Sequence, residues 1–540
     1  MGSRRVLLRL LLGVLCLAPT TESAAARQFP GDVNDPFTAY SRALLLLVDS
    51  AEQVSSLVLP MDVHDFEERG PWRERLRLVG RFGRSQGLRP SWWGVQARGL
   101  FSSAYPVDQL DGAIWRGKGI SAGVELGAGW RFGLLHVTLA PSMFWAQNRS
   151  LELWPVTLPG QPAEAYPWRW IDWPQRQSGT AFVALDLGQS ELAIRGDRLT
   201  AGVSTRNRRW GPGVQNSIVL GSGSGGFPHG FLATSRPLES RLGRFEGQLL
   251  HGRLARSGSF LPDQPDPGRF ITGVTAVWSP RWVTGLHVGA NLVRYGYVTQ
   301  EGSLLGLSAN DLFGVGGDES DHLGSIFFKW ALTPSGFEVY AEWARNDRWS
   351  GINDLLLQPE HSQGYTLGLQ KAFDRGQERL LSFSAELTHL ESEATSRLRD
   401  NPTFYAHSVV LEGYTHKGQL LGAVVGPGGI QQHLGLTWYH PAGSEAIWLR
   451  RRVRDNDAYY YWAERTTSDR CVYCSHDVTF ELGGEVLRLL GEREISVGID
   501  VARQRNRWIE GPDVWNVGAA LRIRRLGGAL VPEPSERSSG

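Results

Sequence analysis

Hydrophobic and polar residues alternate with a period of two along most of the chain between residues 92 and 526. In the clearest segment, from Ile120 to Phe132, the even positions hold Ile, Ala, Val, Leu, Trp and Phe, and the odd positions hold Ser, Gly, Glu and Arg. A similar segment starts at Leu135, and only Gly133 and Leu134 separate the two, which is the spacing of a tight hairpin turn. The pattern predicts antiparallel strands with one apolar and one polar face.

The length of these segments favours a membrane barrel over a soluble β-sandwich. Several of them reach about 9–11 residues, the length of a membrane-crossing strand, whereas strands of soluble proteins most often have about 5–6. Aromatic residues such as Trp145, Trp278 and Trp343 recur at segment ends, as an interfacial girdle requires. The fixed repeat of a propeller is not found. The prediction is an all-β fold, a transmembrane outer-membrane β-barrel of about 18 antiparallel strands.

The N-terminal residues differ from this pattern. Arg4 and Arg5 precede an apolar stretch that ends near small residues, which predicts a cleaved secretory signal peptide. Apolar residues recur at helical spacing over residues 36–57, which predicts a short helical element on the periplasmic side. We therefore divide the chain into a signal peptide (1–26), an N-terminal helical periplasmic segment (27–90), the barrel (91–530) and a polar C-terminal tail (531–540).

Composition narrows the classes of function. The 56 Lys and Arg are balanced by 55 Asp and Glu, which excludes a nucleic-acid binder that works through a strongly basic surface. The mean hydropathy of -0.25 excludes a bundle of transmembrane helices, whereas a barrel needs only one apolar face per strand. Glycine supplies 65 of 540 residues, about 12% against a usual value of roughly 7%, and suits bent strands and loops that fold back into a lumen.

The most distinctive motifs lie between Trp168 and Leu254, with a further block near residue 414. In chain order they read Trp168-Arg169-Trp170-Ile171-Asp172-Trp173-Pro174, Trp210-Gly211-Pro212-Gly213, Gly225-Gly226-Phe227-Pro228-His229, Gly243-Arg244-Phe245-Glu246-Gly247 and Tyr414-Thr415-His416-Lys417-Gly418. This order resembles the Wzi-type capsule assembly family of bacterial outer-membrane barrels over most of the mature chain. The resemblance implies an 18-stranded barrel with helices at its periplasmic end. The family's best-studied members are surface lectins that hold group 1 capsular polysaccharide, so it also implies a glycan-binding role.

Sugar binding requires aromatic faces that stack on sugar rings and polar groups that bind hydroxyls. Three clusters offer both kinds of side chain. The first is Trp154, Tyr166, Trp168, Trp170, Asp172 and Trp173; the second is Arg206, Arg208, Arg209 and Trp210; the third is Arg454, Asp455, Asp457, Tyr459, Tyr460, Tyr461 and Trp462. We predict that these clusters bind glycan as groups, while any single tryptophan could equally belong to the girdle or to loop packing.

Other motifs indicate neither catalysis nor a cofactor. Cys471 and Cys474 form a C-x-x-C pair without the βαβ context of a redox motif or a second pair for zinc, which predicts a local disulfide in an exposed loop. The acidic residues between Asp311 and Asp321 do not have EF-hand spacing, so no metal site is predicted. No G-x-S-x-G nucleophile motif is present.

The sequence predicts a non-enzymatic protein of the cell outer membrane that binds surface polysaccharide, either capsule or exopolysaccharide, and aids its attachment or assembly. The expected partners are that polysaccharide, outer-membrane lipid and the polysaccharide export machinery, without nucleic acid. A porin-like channel is the alternative, and an outer-membrane hydrolase is a further one. An open lumen would favour the channel, and converging acid, base or nucleophile groups at the rim would favour the hydrolase.

Overall fold

The computed structural model describes residues 35–47, 55, 57–58, 70–76, 87–107, 111–300, 320–333, 335–346, 352–376, 378–392, 403–465 and 476–526. The predicted signal peptide, the C-terminal tail and the Cys471–Cys474 pair lie outside these residues.

The described part of the chain folds into a closed barrel of 18 antiparallel strands, which confirms the predicted fold class. The strands are β1 (Gly87–Ser102), β2 (Gly119–Phe132), β3 (Leu135–Leu139 and Ser142–Ala146), β4 (Phe182–Asp186 and Glu191–Arg195), β5 (Leu199–Ser204), β6 (His229–Thr234 and Leu238–Ser240), β7 (Gly243–Leu254), β8 (Arg269–Pro280), β9 (Leu286–Tyr297), β10 (Asp321–Leu332), β11 (Phe337–Asn346), β12 (Gln363–Asp374), β13 (Leu380–His389), β14 (Ile430–His440), β15 (Gly443–Val453), β16 (Val478–Leu490), β17 (Arg493–Arg505) and β18 (Val514–Arg525).

The first and last strands close the ring. In β1, Gly99 lies opposite Ala122 of β2 on one side and Leu521 of β18 on the other. Every strand therefore has two neighbours, and the backbone groups of the wall are satisfied between strands, as a lipid environment requires. The predicted hairpin at Gly133-Leu134 is confirmed, since β2 ends at Phe132 and β3 begins at Leu135.

The two ends of the barrel differ in the length of their connections. One end, the short-turn end, carries turns such as 133–134, 441–442 and 491–492, while the other, the long-loop end, carries connections such as 147–181 and 205–228. Outer-membrane barrels have short periplasmic turns and longer extracellular loops. The described barrel has the same asymmetry between its two ends.

The two faces of the wall differ as the alternation predicted. In β17, Val497, Ile499 and Val501 point outward and are 47%, 57% and 40% exposed, while Ser496 and Asp500 point inward and are buried. An apolar outer face and a polar inner face are what a lipid-embedded barrel needs. None of the helices in the described ranges is long and apolar enough to span a bilayer.

The lumen is filled by two inward-folded loop segments, residues 205–228 and 403–425, which we call the lumen plug. Their buried residues form one core with the inner wall, and the two segments are joined by hydrogen bonds to main-chain carbonyls. The amide of Gly221 donates to the carbonyl of Leu421 at 2.7 Å, and the Tyr405 hydroxyl donates to the carbonyl of Ile218 at 2.7 Å. Gly211, in the plug, has a φ of +97°, and a Cβ there would lie 2.8 Å from the Glu342 carboxylate on the wall. The structure thus gives the Trp-Gly-Pro-Gly motif a structural role in the plug.

A short helix closes the short-turn end, where the sequence predicted a helical element. Helix α1 (Pro36–Leu45) begins with proline, and the Asp35 carboxylate caps it by accepting a 2.9 Å bond from the Phe37 amide. Asp35 also forms an ion pair with Arg524 of β18. Tyr40 stacks on Trp72 with 4.4 Å between ring centroids, and both pack against the ends of wall strands. The helix ends sooner than residue 57, the predicted limit, and most of the remaining predicted stretch lies outside the described residues.

Two further helices stand in the long connections. They are α2 (Ile352–Leu357), between β11 and β12, and α3 (Asn456–Arg465), between β15 and β16. Helix α3 carries most of the third predicted cluster and places it at the long-loop end.

Candidate functional site

The first and third predicted clusters come together at the long-loop end. The Arg169 guanidinium donates to both carboxylate oxygens of Asp455, at 3.0 and 2.8 Å, and the Tyr166 hydroxyl donates to the same carboxylate at 2.9 Å. Asp455 precedes α3 and accepts a 3.1 Å bond from the Ala458 amide, so it also caps that helix. A two-point guanidinium–carboxylate pair is directional, so this contact fixes the 147–181 loop against α3.

Aromatic rings surround this junction. Tyr166 stacks on Trp173 with 5.3 Å between centroids and meets Trp508 edge-on at 5.5 Å. The Arg454 guanidinium lies over both indoles, 5.1 Å from the centroid of Trp173 and 4.8 Å from that of Trp508. Aromatic and cationic groups thus form one layer inside the opening of the barrel at its long-loop end, which we call the mouth.

Members of the first cluster differ in exposure. Trp154, Trp168 and Trp170 are half-buried, whereas Trp173 is buried and packs within the core. Asp172 is fully buried, and its carboxylate accepts bonds from the amide and hydroxyl of Ser257 at 2.7 and 2.5 Å. Burial raises the pKa of Asp172. The structure therefore presents the three half-buried tryptophans to solvent and gives Asp172 a fold-supporting contact.

The third cluster presents its tyrosines unequally. Tyr459 is buried against Trp168, while Tyr460 and Tyr461 are 47% and 56% exposed. Asp457 binds the Ser392 amide and hydroxyl at 2.7 and 2.8 Å. Burial, and next the nearby charge of Asp455, raises the pKa of Asp457 to about 6. Trp462 lies in α3, and its side chain is outside the described part of the structure.

The second cluster lies in the lumen plug, apart from the other two. The Trp210 side chain is 1% exposed and donates a 2.9 Å bond to Gln248 of the wall. Arg206 and Arg208 both face the Glu191 carboxylate, at 4.0 and 2.8 Å. Arg209 donates a 2.5 Å bond to the carbonyl of Gly213 within the plug. These side chains hold the plug against the wall and leave little surface for a ligand at the mouth.

Sequence reasoning missed a set of inward-facing residues beside the mouth, at the end of β17 and in the β1–β2 and β17–β18 connections. They are Tyr105, Gln504, Arg507 and Trp508, which share a small pocket with Arg454 and Trp173. The sequence does place an arginine and a tryptophan, Arg507 and Trp508, directly after the alternating segment of β17. The alternation alone does not show which other loops these two residues contact. Within the described residues, no group of three or more His, Cys, Asp or Glu is placed to hold a metal ion.

No family model and no curated protein sequence matches this chain. Among solved structures, it is similar to Wzi, an outer membrane protein involved in group 1 capsule assembly in Escherichia coli, described as a carbohydrate-binding β-barrel. The TM-score is 0.61 and the sequence identity 12%, and the alignment covers 90% of this chain and 98% of Wzi. OccAB4 of Acinetobacter baumannii aligns with a TM-score of 0.39 and 8% identity over 82% of this chain and 99% of that chain. OprB of Pseudomonas putida aligns at 0.37 and 12% over 85% and 98%.

The Wzi alignment spans nearly the whole of both proteins. An identity of 12% supports a statement about fold. The chain has the closed β-barrel fold of Wzi.

Proposed function

We propose that this protein resides in the outer membrane and binds surface polysaccharide, either capsule or exopolysaccharide, at its long-loop end. Its role is to aid attachment or assembly of that polymer without catalysing a reaction. The observation that carries the proposal is the junction of the first and third clusters, where half-buried tryptophans and exposed tyrosines surround a fixed ion pair. The carbohydrate binding described for Wzi, which shares the fold, supports the same reading.

The chemistry of the mouth suits a repeating sugar polymer. Trp168, Trp170 and Tyr460 offer aromatic faces at moderate exposure, and guanidinium and carboxylate groups beside them can bind hydroxyls. Each such contact is weak, but a polymer that repeats its unit can occupy several sites at once, which raises avidity. The polymer and the surrounding lipid are the proposed partners, together with the export machinery that delivers the polymer to the surface.

The filled lumen supports binding over transport. A diffusion channel needs a continuous aqueous path, whereas this barrel holds the lumen plug along its inner wall and α1 across its short-turn end. The main-chain amides of Gln215 and Asn216 bind the Glu386 carboxylate of β13 at 3.1 and 2.8 Å, which ties the plug to the wall.

The test uses the full chain reconstituted in liposomes and the purified surface polysaccharide of the bacterium that encodes it. Wild-type proteoliposomes are expected to retain the polysaccharide in co-sedimentation. Each lost stacking contact is worth about 0.5–1.5 kcal/mol. The Trp170→Ala variant should therefore bind about 2- to 12-fold more weakly, and the double Tyr460→Ala and Tyr461→Ala variant about tenfold or more.

The control is Trp282→Ala, because Trp282 is 65% exposed at the short-turn end and should not affect binding. Retention no greater than that of empty liposomes, or surface attachment unchanged after deletion of the gene, would contradict the proposal.

A further inference from the structure

Inside the mouth, two arginines lie on the same aromatic ring without a carboxylate partner. The guanidinium groups of Arg454 and Arg507 lie 4.8 and 6.0 Å from the centroid of Trp508. Arg507 also lies 5.0 Å from the ring centroid of Tyr105. Among the described residues, neither arginine forms an ion pair or a side-chain hydrogen bond, in contrast to Arg450 of β15, which binds Glu481 at 2.9 Å.

The Asp477 carboxylate attracts both arginines but forms no ion pair with either one among the described residues. Asp477 accepts bonds from the Gln504 amide at 2.7 and 3.0 Å and from the Trp508 main-chain amide at 2.9 Å. Burial, and next the positive charge of Arg454, lowers the pKa of Arg507 to about 10. The two guanidinium groups therefore repel each other in a partly buried place, and a bound anion would relieve that repulsion.

Buried polar atoms around the arginines also lack partners. The hydroxyl of Tyr105, the Oε1 of Gln504 and the Nε1 of Trp508 form no hydrogen bond, although their side chains are only 7%, 3% and 5% exposed. All three residues line the pocket that contains Arg454 and Arg507. A buried polar group without a partner is costly, and such groups are rare in native proteins. Three of them converging on two unpaired arginines indicate a site built for a polar ligand.

We infer that this pocket, formed by Tyr105, Arg454, Gln504, Arg507 and Trp508, binds an oxyanion carried on a sugar. The inference rests on the proposed function and names the class of polymer: an acidic polysaccharide whose unit bears a carboxylate or a phosphate. The paired guanidinium groups bind the anionic oxygens, the Tyr105 hydroxyl and Trp508 indole N–H donate to them, and the Gln504 carbonyl accepts from a sugar hydroxyl. The buried rings of Trp173 and Trp508 line the pocket beside the anion, and the sugar ring stays at its opening.

The experiment compares three forms of the same purified surface polysaccharide: native, carboxyl-reduced and dephosphorylated with hydrofluoric acid. Wild-type proteoliposomes should bind at least tenfold less of the form that has lost its anion, and the form that loses affinity identifies carboxylate or phosphate. The double variant Arg454→Gln and Arg507→Gln should bind the native polymer at least tenfold more weakly and bind the anion-free form as wild type does.

The matched control is the double variant Arg503→Gln and Arg505→Gln. It removes the same two charges from exposed positions of β17 that face Asp513 at the same end, and its affinity should stay within twofold of wild type. Tyr105→Phe provides a milder test if the double variant does not fold. It removes a hydroxyl without a partner, so it should keep wild-type stability and lower the affinity for native polymer about threefold.

Two results would overturn the inference in distinguishable ways. Equal binding of the native and both anion-free forms by wild type would remove the anion site and leave polysaccharide binding intact. Failure of wild type to bind any of the three forms would remove the proposed function and this inference together.

Discussion

The guanidinium of Arg42, in helix α1, donates to the carboxylate of Glu338 in β11, with 2.8 Å between Nε and Oε1. A second nitrogen of the same guanidinium donates to the carbonyl of Pro212 in the lumen plug at 3.0 Å. The side chains are 10% and 1% exposed, so the pair is shielded from water. One arginine thereby joins the terminal helix, the barrel wall and the Trp-Gly-Pro-Gly motif.

Replacing this arginine should destabilise the barrel strongly. Arg42→Ala leaves the Glu338 carboxylate buried without its main partner, and we expect a loss of about 3 kcal/mol in the free energy of unfolding. The value is at the low end for a buried pair because Lys329 stays 3.9 Å from Glu338. Denaturant titration, followed by heat-modifiable mobility on gels, measures this loss.

The control is Arg73→Ala. Arg73 pairs with Glu378 at 2.7 Å on the surface, so its replacement should lower the free energy of unfolding by at most about 1 kcal/mol. Equal losses in both variants would contradict the expectation.

The Glu386 carboxylate should control ion conductance. It accepts the amides of Gln215 and Asn216 and the Tyr340 hydroxyl, so Glu386→Ala frees one side of the lumen plug. Wild type is expected to be nearly silent in planar lipid bilayers, while the variant should show frequent openings. Glu445→Ala, on a half-exposed carboxylate at the short-turn end, should behave as wild type. A wild-type protein that conducts as readily as the Glu386 variant would favour the channel alternative.

The Asp455 carboxylate should hold the 147–181 loop against helix α3 at the mouth. Asp455→Asn keeps the shape of the side chain but removes the charge that binds Arg169, and the expected loss is about 1–3 kcal/mol. Limited proteolysis of the 147–181 loop should accelerate, and affinity for polysaccharide should fall with it. Asp197→Asn serves as the comparison because its pair with Arg236 is more than half exposed at the short-turn end. Unchanged proteolysis in the Asp455 variant would argue against this role.

The mouth should become less stable as the pH rises from 4 to 7. The pKa of Asp457 is raised to about 6 from its ordinary 3.8, so the folded state holds this proton more tightly than the unfolded chain does. The stabilisation is fully present below about pH 4 and is lost as the pH rises through 6. Its size is about 1–2 kcal/mol, less than the full shift implies because the side chain is partly exposed.

Proteolysis of α3 across this pH range measures the effect. Asp457→Asn can still bind Ser392 and should flatten the profile. Asp455→Asn should shift the midpoint downward, since it removes the charge that raises the Asp457 pKa. Identical profiles in wild type and the Asp457 variant would show that another group titrates.

Much of the barrel was readable in the sequence because a lipid-facing strand must alternate. The alternation predicted from Ile120 to Phe132 is confirmed, since Ile120 and Val124 are exposed while Ser121 is buried, and so is the hairpin at Gly133-Leu134. The irregular wall near β3 and β4 was less visible, since each of these strands is interrupted and pairs in two segments. The alternation shows which face of a strand meets lipid, and every strand of the barrel must satisfy that requirement. It does not show where a strand is interrupted.

The interior was much less predictable from the sequence. A plug residue such as Trp210 meets Gln248 and Gly273, which lie on different strands, and no local pattern encodes that meeting. For the same reason, the four residues of the second cluster were predicted to bind glycan as a group, although the structure places them in the lumen plug. The junction of Arg169 with Asp455 joins residues 286 apart, so only the closed ring brings the first and third clusters together.

The cap of α1 has a consequence for biogenesis. Asp35 both starts the helix and binds Arg524 of β18, residues 489 positions apart. The helix is synthesised before the strands, whereas its ion-pair partner Arg524 belongs to the last strand of the barrel. A chain truncated before β18 would therefore keep the local cap of α1 but lose the ion pair that holds the start of this helix to the barrel wall.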